Sequence, residues 1–334
     1  MTVSAAAAVA LLTAGCNGSP DRTDRQDPSP AADDPTWSAS TDPVTADGLV
    51  WASDGVVHLS DGSTVEVGEE MATYVVAGDG VYFTPGGDTD HGSTTTGPLQ
   101  FADRDGTVTD TGLTVYVESI GSSSDGRYLG LVDATSGPED DFSGQPRATA
   151  IVVDLTSGDR VVETGDGMGD PEQDDLAHDY PEVNLGVQFP DTASAHVEGL
   201  GDFLFSLPDG AGAPTESGVR SPTDPVSPDQ QWTIQDRGFD DRVVAQGGDP
   251  VQIRTGTPRR DLRWWLDDST VVGIAIDGPG DGTDLGPGNV STLITCRVPD
   301  GTCRRVDGTT GAQLRFPVGA GDEGLDLGAT GGGS

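Results

Sequence analysis

Short runs in which apolar and polar residues alternate recur along the chain, and turns that contain glycine and aspartate separate them. The segment GVVHLSDGSTVEV, residues 55–67, alternates on both sides of Asp61–Gly62, and ATAIVVDLTSGDRVVET, residues 148–164, does so around Ser157–Gly158. Alternation with a period of two places every second side chain on the same face of a strand, and an Asp-Gly step is a strong hairpin signal. No segment keeps a convincing helical apolar period. The pattern predicts an all-β fold built from hairpins.

The hairpins also recur in a longer sequence repeat. Five segments share an apolar approach, a polar turn with an aspartate and an apolar return strand, and their turn aspartates are Asp79, Asp125, Asp191, Asp229 and Asp268. The intervals between successive anchors are 46, 66, 38 and 39 residues, and three of the four are close to the roughly 40–45 residues of a four-stranded blade of a β-propeller. The one long interval contains the acidic insert VETGDGMGDPEQDDLAHDYPE, which we expect to be a solvated loop.

The predicted blades cover residues 72–113, 114–165, 182–221, 225–257 and 261–308. Two pieces remain, a hairpin at 48–67 and an apolar segment at 312–318. We expect them to join into a further blade formed from both ends of the chain, because that closure leaves no open sheet edge. The expected β-propeller then has six blades, with seven as the alternative.

One pair of segments resembles a known group. SSDGRYLGLVD, residues 123–133, followed by ATAIVVDLTSGDRV, is similar to a blade of the TolB-type, WD40-like β-propellers, where a Ser-Pro-Asp-Gly-like turn precedes an aromatic strand. Ser227-Pro228-Asp229 ahead of Trp232 repeats the pattern. The resemblance covers roughly residues 46–318, and the whole chain also resembles secreted actinobacterial propeller lipoproteins. It implies an accessory or sensory role in the cell envelope.

The first residues, MTVSAAAAVALLTAGC, form an alanine-rich apolar run that stops at Cys16. The run is too short to span a bilayer as a helix and is typical of a signal peptide. Leu12-Thr13-Ala14-Gly15, directly before the thiol, resembles the lipobox of bacterial lipoproteins, in which the cysteine receives a diacylglyceryl group. We therefore expect Cys16 to be lipidated and to anchor the protein to the outer face of the cytoplasmic membrane. An ordinary cleaved signal peptide is the alternative.

Composition sets the domain organisation. We expect a lipoprotein signal peptide at 1–16, a disordered Pro/Asp/Ser-rich tether at 17–45, the β-propeller at 46–318 and a flexible C-terminal tail at 319–334. The chain contains 49 Gly and 23 Pro, which disfavour long helices. The tether contains little that could form a core.

Acidic residues dominate the charge. There are 56 Asp and Glu residues against 17 basic residues, every one of them Arg, and the formal net charge is −39. Nucleic acid is therefore excluded as an expected partner, because binding it requires a basic surface. The absence of lysine excludes a P-loop and a Schiff-base enzyme. The acidity fits an actinobacterial or a halophilic source.

Two cysteines, Cys296 and Cys303, remain if Cys16 is lipidated. The segment STLITCRVPDGTCRRV predicts a hairpin whose loop is Val298–Gly301, so that the two cysteines face each other across the strands. Directly opposed antiparallel residues are close enough to be bridged. We expect a disulfide.

Metal-binding candidates are few. Asp277, Asp281, Asp284 and Asn289 offer oxygen ligands that suit Ca²⁺, although a long inter-strand loop is the simpler interpretation. His178 lies among aspartates of the acidic insert and could join a divalent cation site, but a solvated loop is again simpler.

The other notable side chains have structural interpretations. His58 and His196 fall within predicted strands and are expected to be packing or surface residues, and His91 is isolated. Trp264 and Trp265 are expected to lie in the core, on opposite faces of their strand.

Two functions are compatible with these features. The first is a lipid-anchored, extracytoplasmic, monomeric β-propeller that acts as a non-catalytic binding or scaffold module for an envelope protein or a small ligand. The alternative is a propeller hydrolase, lactonase or lyase that uses a channel-bound Ca²⁺ or a carboxylate pair. We assign no catalytic residue, and Ca²⁺ is the only candidate cofactor.

Overall fold

The computed structural model describes residues 37, 39–86, 95–216, 218–257, 259–278 and 289–328. The first strands in chain order are β1 (Trp51–Ser53), β2 (Val56–His58), β3 (Thr64–Glu66), β4 (Met71–Ala77), β5 (Gly80–Pro85), β6 (Thr96–Asp103), β7 (Val108–Tyr116), β8 (Gly121–Ser122), β9 (Tyr128–Asp133), β10 (Thr149–Asp154), β11 (Asp159–Thr164) and β12 (Gly186–Asp191). They continue with β13 (Ser194–Glu198), β14 (Phe203–Ser206), β15 (Gly212–Pro214), β16 (Trp232–Gln235), β17 (Arg242–Ala245), β18 (Pro250–Val251), β19 (Arg259–Trp265), β20 (Thr270–Asp277), β21 (Val290–Arg297), β22 (Thr302–Arg305), β23 (Gln313–Arg315) and β24 (Gly324–Asp326).

Helical structure is minor in this described part. It consists of one short α-helix, α1 (Leu176–Asp179), and 3₁₀ turns at Val117–Ser119 and Tyr180–Glu182. All strands belong to one compact unit, Pro35–Ser334. No described helix has the length and apolar character needed to cross a membrane.

The strands pair antiparallel into five sheets, and within each sheet most neighbours are consecutive in the chain. The eight-stranded sheet contains two sets, β4–β7 and β8–β11, which a single pair of residues, Val115 and Asp133, connects. The β12–β15, β16–β18 and β19–β22 sheets follow in order. The arrangement is all-β and propeller-like, as the hydrophobic pattern predicts.

The remaining sheet, here called the closing sheet, has the strand order β24-β23-β1-β2-β3. Ala52 of β1 pairs with Arg315 of β23. The predicted association of the hairpin at 48–67 with the segment at 312–318 is therefore present.

The turn aspartates that define the period lie at equivalent places. Asp79, Asp125 and Asp268 each fall between the first two strands of a set, and Asp191 ends β12 at the same position. Asp229 precedes β16, and Val226 forms an isolated bridge with Thr233 of β16, so the segment around Val226 takes the place of a first strand. The predicted period is confirmed.

Apolar clusters lie between neighbouring sets. One joins the closing sheet to β4–β7, and others join β4–β7 to β8–β11 and β8–β11 to β12–β15. Two more join β16–β18 to β19–β22 and β19–β22 to the closing sheet. Trp264 and Trp265 are both buried and belong to the two clusters on opposite sides of β19, as expected. Among the described residues, no apolar cluster joins β12–β15 to β16–β18.

The ordered chain extends past the expected domain boundaries at both ends. Ser40 and Val44 are buried, and their N–H groups donate to the carbonyl oxygens of Leu155 (2.8 Å) and Gly78 (2.7 Å). β24 lies within the segment expected to be a flexible tail, and Leu327 behind it is 1% exposed. The reason is that these few apolar side chains fill space against neighbouring sheets.

The disulfide between Cys296 and Cys303 is present. The two residues are directly opposed in the β21–β22 hairpin, with a Cα–Cα distance of 4.0 Å. The loop between the strands is Val298–Gly301, as predicted.

Candidate functional site

The two ends of the strand sets differ in their loops. In an up-and-down set, connections after the first and third strands lie at one end, and those after the second and fourth lie at the other. The first kind are short turns such as 78–79 and 155–158. The second kind include longer connections. We call the end of the strand sets where they lie the long-loop end. The described long connections at this end are residues 134–148, 165–185, 218–225 and 236–241.

The turn aspartates have a structural role at the short end. Ser123 Oγ donates to Asp125 Oδ1 at 2.6 Å and accepts from the N–H of Tyr128 at 2.9 Å. The same two contacts, with the same distances, recur at Ser227, Asp229 and Trp232. The aspartates therefore shape the turns that connect the first two strands.

The connection 134–148 is built around the Asp140 carboxylate. It accepts hydrogen bonds from the N–H groups of Phe142 (2.8 Å) and Ser143 (2.5 Å) and from the Ser143 hydroxyl (2.6 Å). Burial alone would raise the pKa of Asp140, but these hydrogen bonds, together with one from the Gly144 N–H, lower it to about 2. This ordered loop presents the ring of Phe142, which is 61% exposed.

The connection 165–185, which contains most of the acidic insert, differs from the solvated loop expected from its sequence. Met168, Leu176 and Tyr180 are buried in the cluster between β8–β11 and β12–β15. The Tyr180 hydroxyl donates to the carbonyl of Met168 (2.9 Å) and accepts from the N–H of Ala148 (2.8 Å), so it fastens the insert to the residue that precedes β10. The three widely spaced apolar residues were the only sequence signal for this anchoring.

A charged cluster lies on β19. Arg263 is 2.8 Å from a carboxylate oxygen of Asp261 and 3.6 Å from one of Asp322. Burial raises the pKa of Asp261 to about 6, while Arg263 opposes the shift. Asp261 can therefore change its charge at mildly acidic pH.

Asp241 lies in the connection between β16 and β17 and faces β19. Its carboxylate accepts hydrogen bonds from the backbone N–H groups of Arg237 (2.7 Å) and Leu262 (2.9 Å). Burial raises its pKa, and the two backbone N–H groups oppose the rise. The many acidic residues of the sequence gave no means of selecting Asp241 and Asp261 in advance.

The predicted Ca²⁺ ligands are placed only in part. Asp277 forms a two-contact ion pair with Arg305 at 2.7 and 3.2 Å, and Asn289 Oδ1 accepts from Arg259 at 2.7 Å. Asp281 and Asp284 lie outside the described residues, as do Cys16 and His91. The described residues contain no group of three His, Cys, Asp or Glu side chains that could hold a metal ion. Calcium binding stays a prediction.

The other histidines are resolved. The ring of His58 stacks on Trp51 with the ring centres 3.7 Å apart, and burial lowers the pKa of His58. His178 is exposed on α1. His196 is buried in β13. His58 is thus a packing residue, as its position in an alternating strand predicts.

No protein-family model and no curated protein matches the chain. Solved structures similar to it include one from a study of two prolyl endopeptidases (TM-score 0.44, 13% identity, covering 78% of this chain and 46% of that one). They also include TolB from Acinetobacter baumannii (TM-score 0.32, 12% identity, 83% and 64% covered) and putative TolB from Agrobacterium tumefaciens (TM-score 0.31, 11% identity, 84% and 93% covered). The chain thus covers less than two thirds of the length of the first two of these proteins. Similarity at this level does not indicate a shared function.

Proposed function

We propose that this protein is a lipid-anchored, extracytoplasmic β-propeller that acts as a non-catalytic binding module for an envelope protein or a small ligand. The observation that carries the proposal is the ordered long-loop end, where a loop built around Asp140 holds Phe142 out into solvent. Functional residues are concentrated on loops that a rigid sheet scaffold positions.

The chemistry of this end favours a partner with cationic and apolar groups. The connection 134–148 carries Glu139, Asp140 and Asp141, and the Asp141 N–H donates to the carbonyl of Pro171 at 3.0 Å, which links it to the acidic insert. Aromatic side chains on preorganised loops are frequent anchors in interfaces, because little conformational entropy is lost when they bind. Surrounding carboxylates steer oppositely charged partners.

We also propose that the ring has six blades, namely the closing sheet, β4–β7, β8–β11, β12–β15, β16–β18 with the Val226 segment, and β19–β22. Five apolar clusters support this count, since they join consecutive sets at every boundary except, among the described residues, the one between β12–β15 and β16–β18. A crystal structure that placed a seventh four-stranded sheet in the ring would contradict it.

Site-specific photo-crosslinking tests the binding face. A photoreactive phenylalanine analogue would replace Phe142 at the long-loop end, and a matched control would carry it at Ser157, an exposed turn residue at the short end. Irradiation in cell envelopes should give a discrete adduct from position 142 and none from position 157. Equal adducts at both positions, or none from position 142, would contradict this binding face.

The anchor has a separate test. Cys16→Ser removes the thiol that would receive the lipid, so the variant should leave the membrane fraction and lose incorporation of a labelled fatty acid. A Cys296→Ser/Cys303→Ser variant is the control, and it should retain both. Lipid labelling that persists in Cys16→Ser would exclude the anchor.

A further inference from the structure

A polar pocket, here called the β16 pocket, lies between β16 and the segment that precedes it. Its volume is about 390 Å³, within the range of roughly 300–1,000 Å³ that is usual for small-molecule sites. The segment before β16, β16 itself and the turn after β17 all contribute to the lining, which includes Arg220, Asp224, Val226, Gln230, Thr233 and Gln246.

The pocket lies on the face of β16 that is turned away from β19–β22. Trp232 and Ile234 pack in the apolar cluster with β19–β22, so strand alternation turns Thr233, between them, to the opposite face. Val226 is bridged to Thr233 and shares that face. Neither Val226 nor Thr233 belongs to a described apolar cluster. The packing of β19–β22 therefore does not fill the pocket.

Hydrogen bonds hold the walls of the pocket in place before any ligand binds. The carbonyl oxygen of Pro225 accepts from the N–H of Ile234 (2.7 Å) and from Trp265 Nε1 (2.9 Å). The Gln246 N–H donates to the carbonyl of Gln231 at 2.9 Å, which holds the turn after β17 against the turn before β16. A wall that is already ordered loses little conformational entropy when a ligand binds.

The polar groups of the pocket are neutral or already paired. Arg220 Nε is 3.2 Å from a carboxylate oxygen of Asp224, so these two charges compensate each other. Gln230, Thr233 and Gln246 offer two carboxamides and one hydroxyl, and none of the three makes a side-chain hydrogen bond to another described residue. Carboxamides and hydroxyls can each donate and accept. The pocket thus presents free donors and acceptors without a net charge.

The backbone of Gln230 draws attention to its side chain. Its φ is 61°, in the left-handed region that disfavours residues other than glycine. The turn that connects β8 and β9 has the same serine–aspartate hydrogen bond and places Gly126 at the corresponding position, with a φ of 70°. The turn itself therefore accepts glycine. Residues held in disfavoured conformations are concentrated at binding sites, where their side chains are used.

We propose that the β16 pocket binds a neutral saccharide, whose hydroxyl groups are hydrogen-bonded by the side chains of Gln230, Thr233 and Gln246. Neighbouring sugar hydroxyls each donate and accept, which matches these side chains. The formal net charge of −39 disfavours an acidic ligand, and the carboxylate that lines the pocket, Asp224, is already paired rather than free to hold a cation.

A peptide fits the pocket less well. Extended peptides bind by adding a strand to an exposed sheet edge. The segment around Val226 already covers the edge of β16, so the pocket offers side-chain groups rather than a free strand edge. No residue of the connection 134–148 lines the pocket, and the proposal does not rest on Phe142 or on the lipid anchor.

Saturation-transfer NMR on the full chain tests the pocket. The probes are glucose, mannose, galactose and N-acetylglucosamine, with glucuronate as an acidic sugar and N-acetyl-trialanine amide as a neutral peptide. At least one neutral sugar should receive magnetisation from the protein, and glucuronate and the peptide should receive much less. Gln230→Gly and Gln246→Ala should each weaken the binding of that sugar on the order of fivefold, because each variant loses hydrogen bonds to it.

Gln231→Ala is the matched control, because Gln231 is an exposed glutamine next to Gln230 that lies outside the lining. It should bind the sugar as the unmodified protein does. Glycine suits the backbone at position 230, so Gln230→Gly should melt no lower than the unmodified protein, and its loss of binding would not reflect unfolding. Equal weakening in Gln231→Ala, unchanged binding in Gln230→Gly and Gln246→Ala, a stronger signal from glucuronate or the peptide, or no signal from any neutral sugar would overturn the proposal.

Discussion

Ala52 and Arg315, which come from opposite ends of the chain, are paired in one sheet. The pairing is reinforced from the neighbouring set, since the Tyr74 hydroxyl donates to the carbonyl of Arg315 at 3.1 Å. The closing sheet is thus held both by a strand pair and by a buried side chain of β4.

Weakening β23 should therefore destabilise the whole unit. Leu314 of β23 is 2% exposed and belongs to the cluster between β19–β22 and the closing sheet. Leu314→Ala should lower the free energy of unfolding by about 2–4 kcal/mol, because it leaves a cavity. Urea denaturation measures the loss, with Val108→Ala as the control at a more exposed site (37%). A similar loss in both variants would contradict the role of β23.

The two Ser-x-Asp turns should respond oppositely to substitution. Gly126 (φ 70°) and Gln230 (φ 61°) occupy the same left-handed position, and a Cβ at Gly126 would collide with the carbonyl oxygen of Val44. Gln230→Gly should raise the free energy of unfolding by up to about 1 kcal/mol, because glycine tolerates this conformation. Gly126→Ala should lower it by more than about 1 kcal/mol. Thermal melting of both variants checks the pair, and a melting temperature lowered by Gln230→Gly would count against it.

The disulfide should make stability sensitive to reductant. It closes a short ring, with a sequence separation of 7, and should contribute about 2 kcal/mol in the chain-entropy model. Urea denaturation with and without a phosphine reductant should show the difference. The Cys296→Ser/Cys303→Ser variant is the control and should be insensitive to reductant; an equal effect on it would point to another cause.

Acid should weaken the Arg127–Asp154 pair. Burial alone would raise the pKa of Asp154, but hydrogen bonds from Arg127 and Thr156 lower it from 3.8 to about 2. A lowered pKa contributes stability above about pH 4, and that stability is lost as the pH falls towards 2. Asp154→Asn should reduce this loss of stability at acid pH, which is measured as the free energy of unfolding in mild urea between pH 4 and 2. Asp159→Asn, at an exposed site nearby, should leave it unchanged.

Asp261 should give the opposite pH dependence. Its pKa is raised to about 6, so its ionisation lowers stability as the pH rises from about 4 to 6. Asp261→Asn should remove this decline while keeping a hydrogen-bond acceptor for Arg263. Unfolding curves at pH 4, 5, 6 and 7 measure the slope. An unchanged slope in Asp261→Asn would assign the decline to other groups.

The hairpins, the period and the closure could be predicted from the sequence, because alternation and turn residues are local signals. Ser157–Gly158 and Cys296–Cys303 each specify a hairpin within a few residues of themselves. Features that depend on distant packing could not be predicted in this way. In the sequence, Tyr180 is one aromatic residue in an acidic segment. Only the folded structure shows that its hydroxyl is hydrogen-bonded to Ala148 and Met168.

The candidate sites were harder to predict for the same reason. Gln230 and Gln246 line one pocket only because the turns before β16 and after β17 lie against each other, and Asp241 meets Leu262 only because two sheets pack together. With so many acidic residues in the chain, only burial singles out Asp241 and Asp261. Sequence patterns do not report burial of polar groups.

The pairing of β1 with β23 also determines when folding can finish. A growing chain makes β1 before the other described strands, and the edge of β1 that pairs with β23 stays without its partner until nearly all later strands have been synthesised. Exposed strand edges of this kind invite pairing with other chains. Residues 51–53 are therefore the place where a nascent chain most needs protection from aggregation, and premature termination anywhere before residue 313 leaves that edge open permanently.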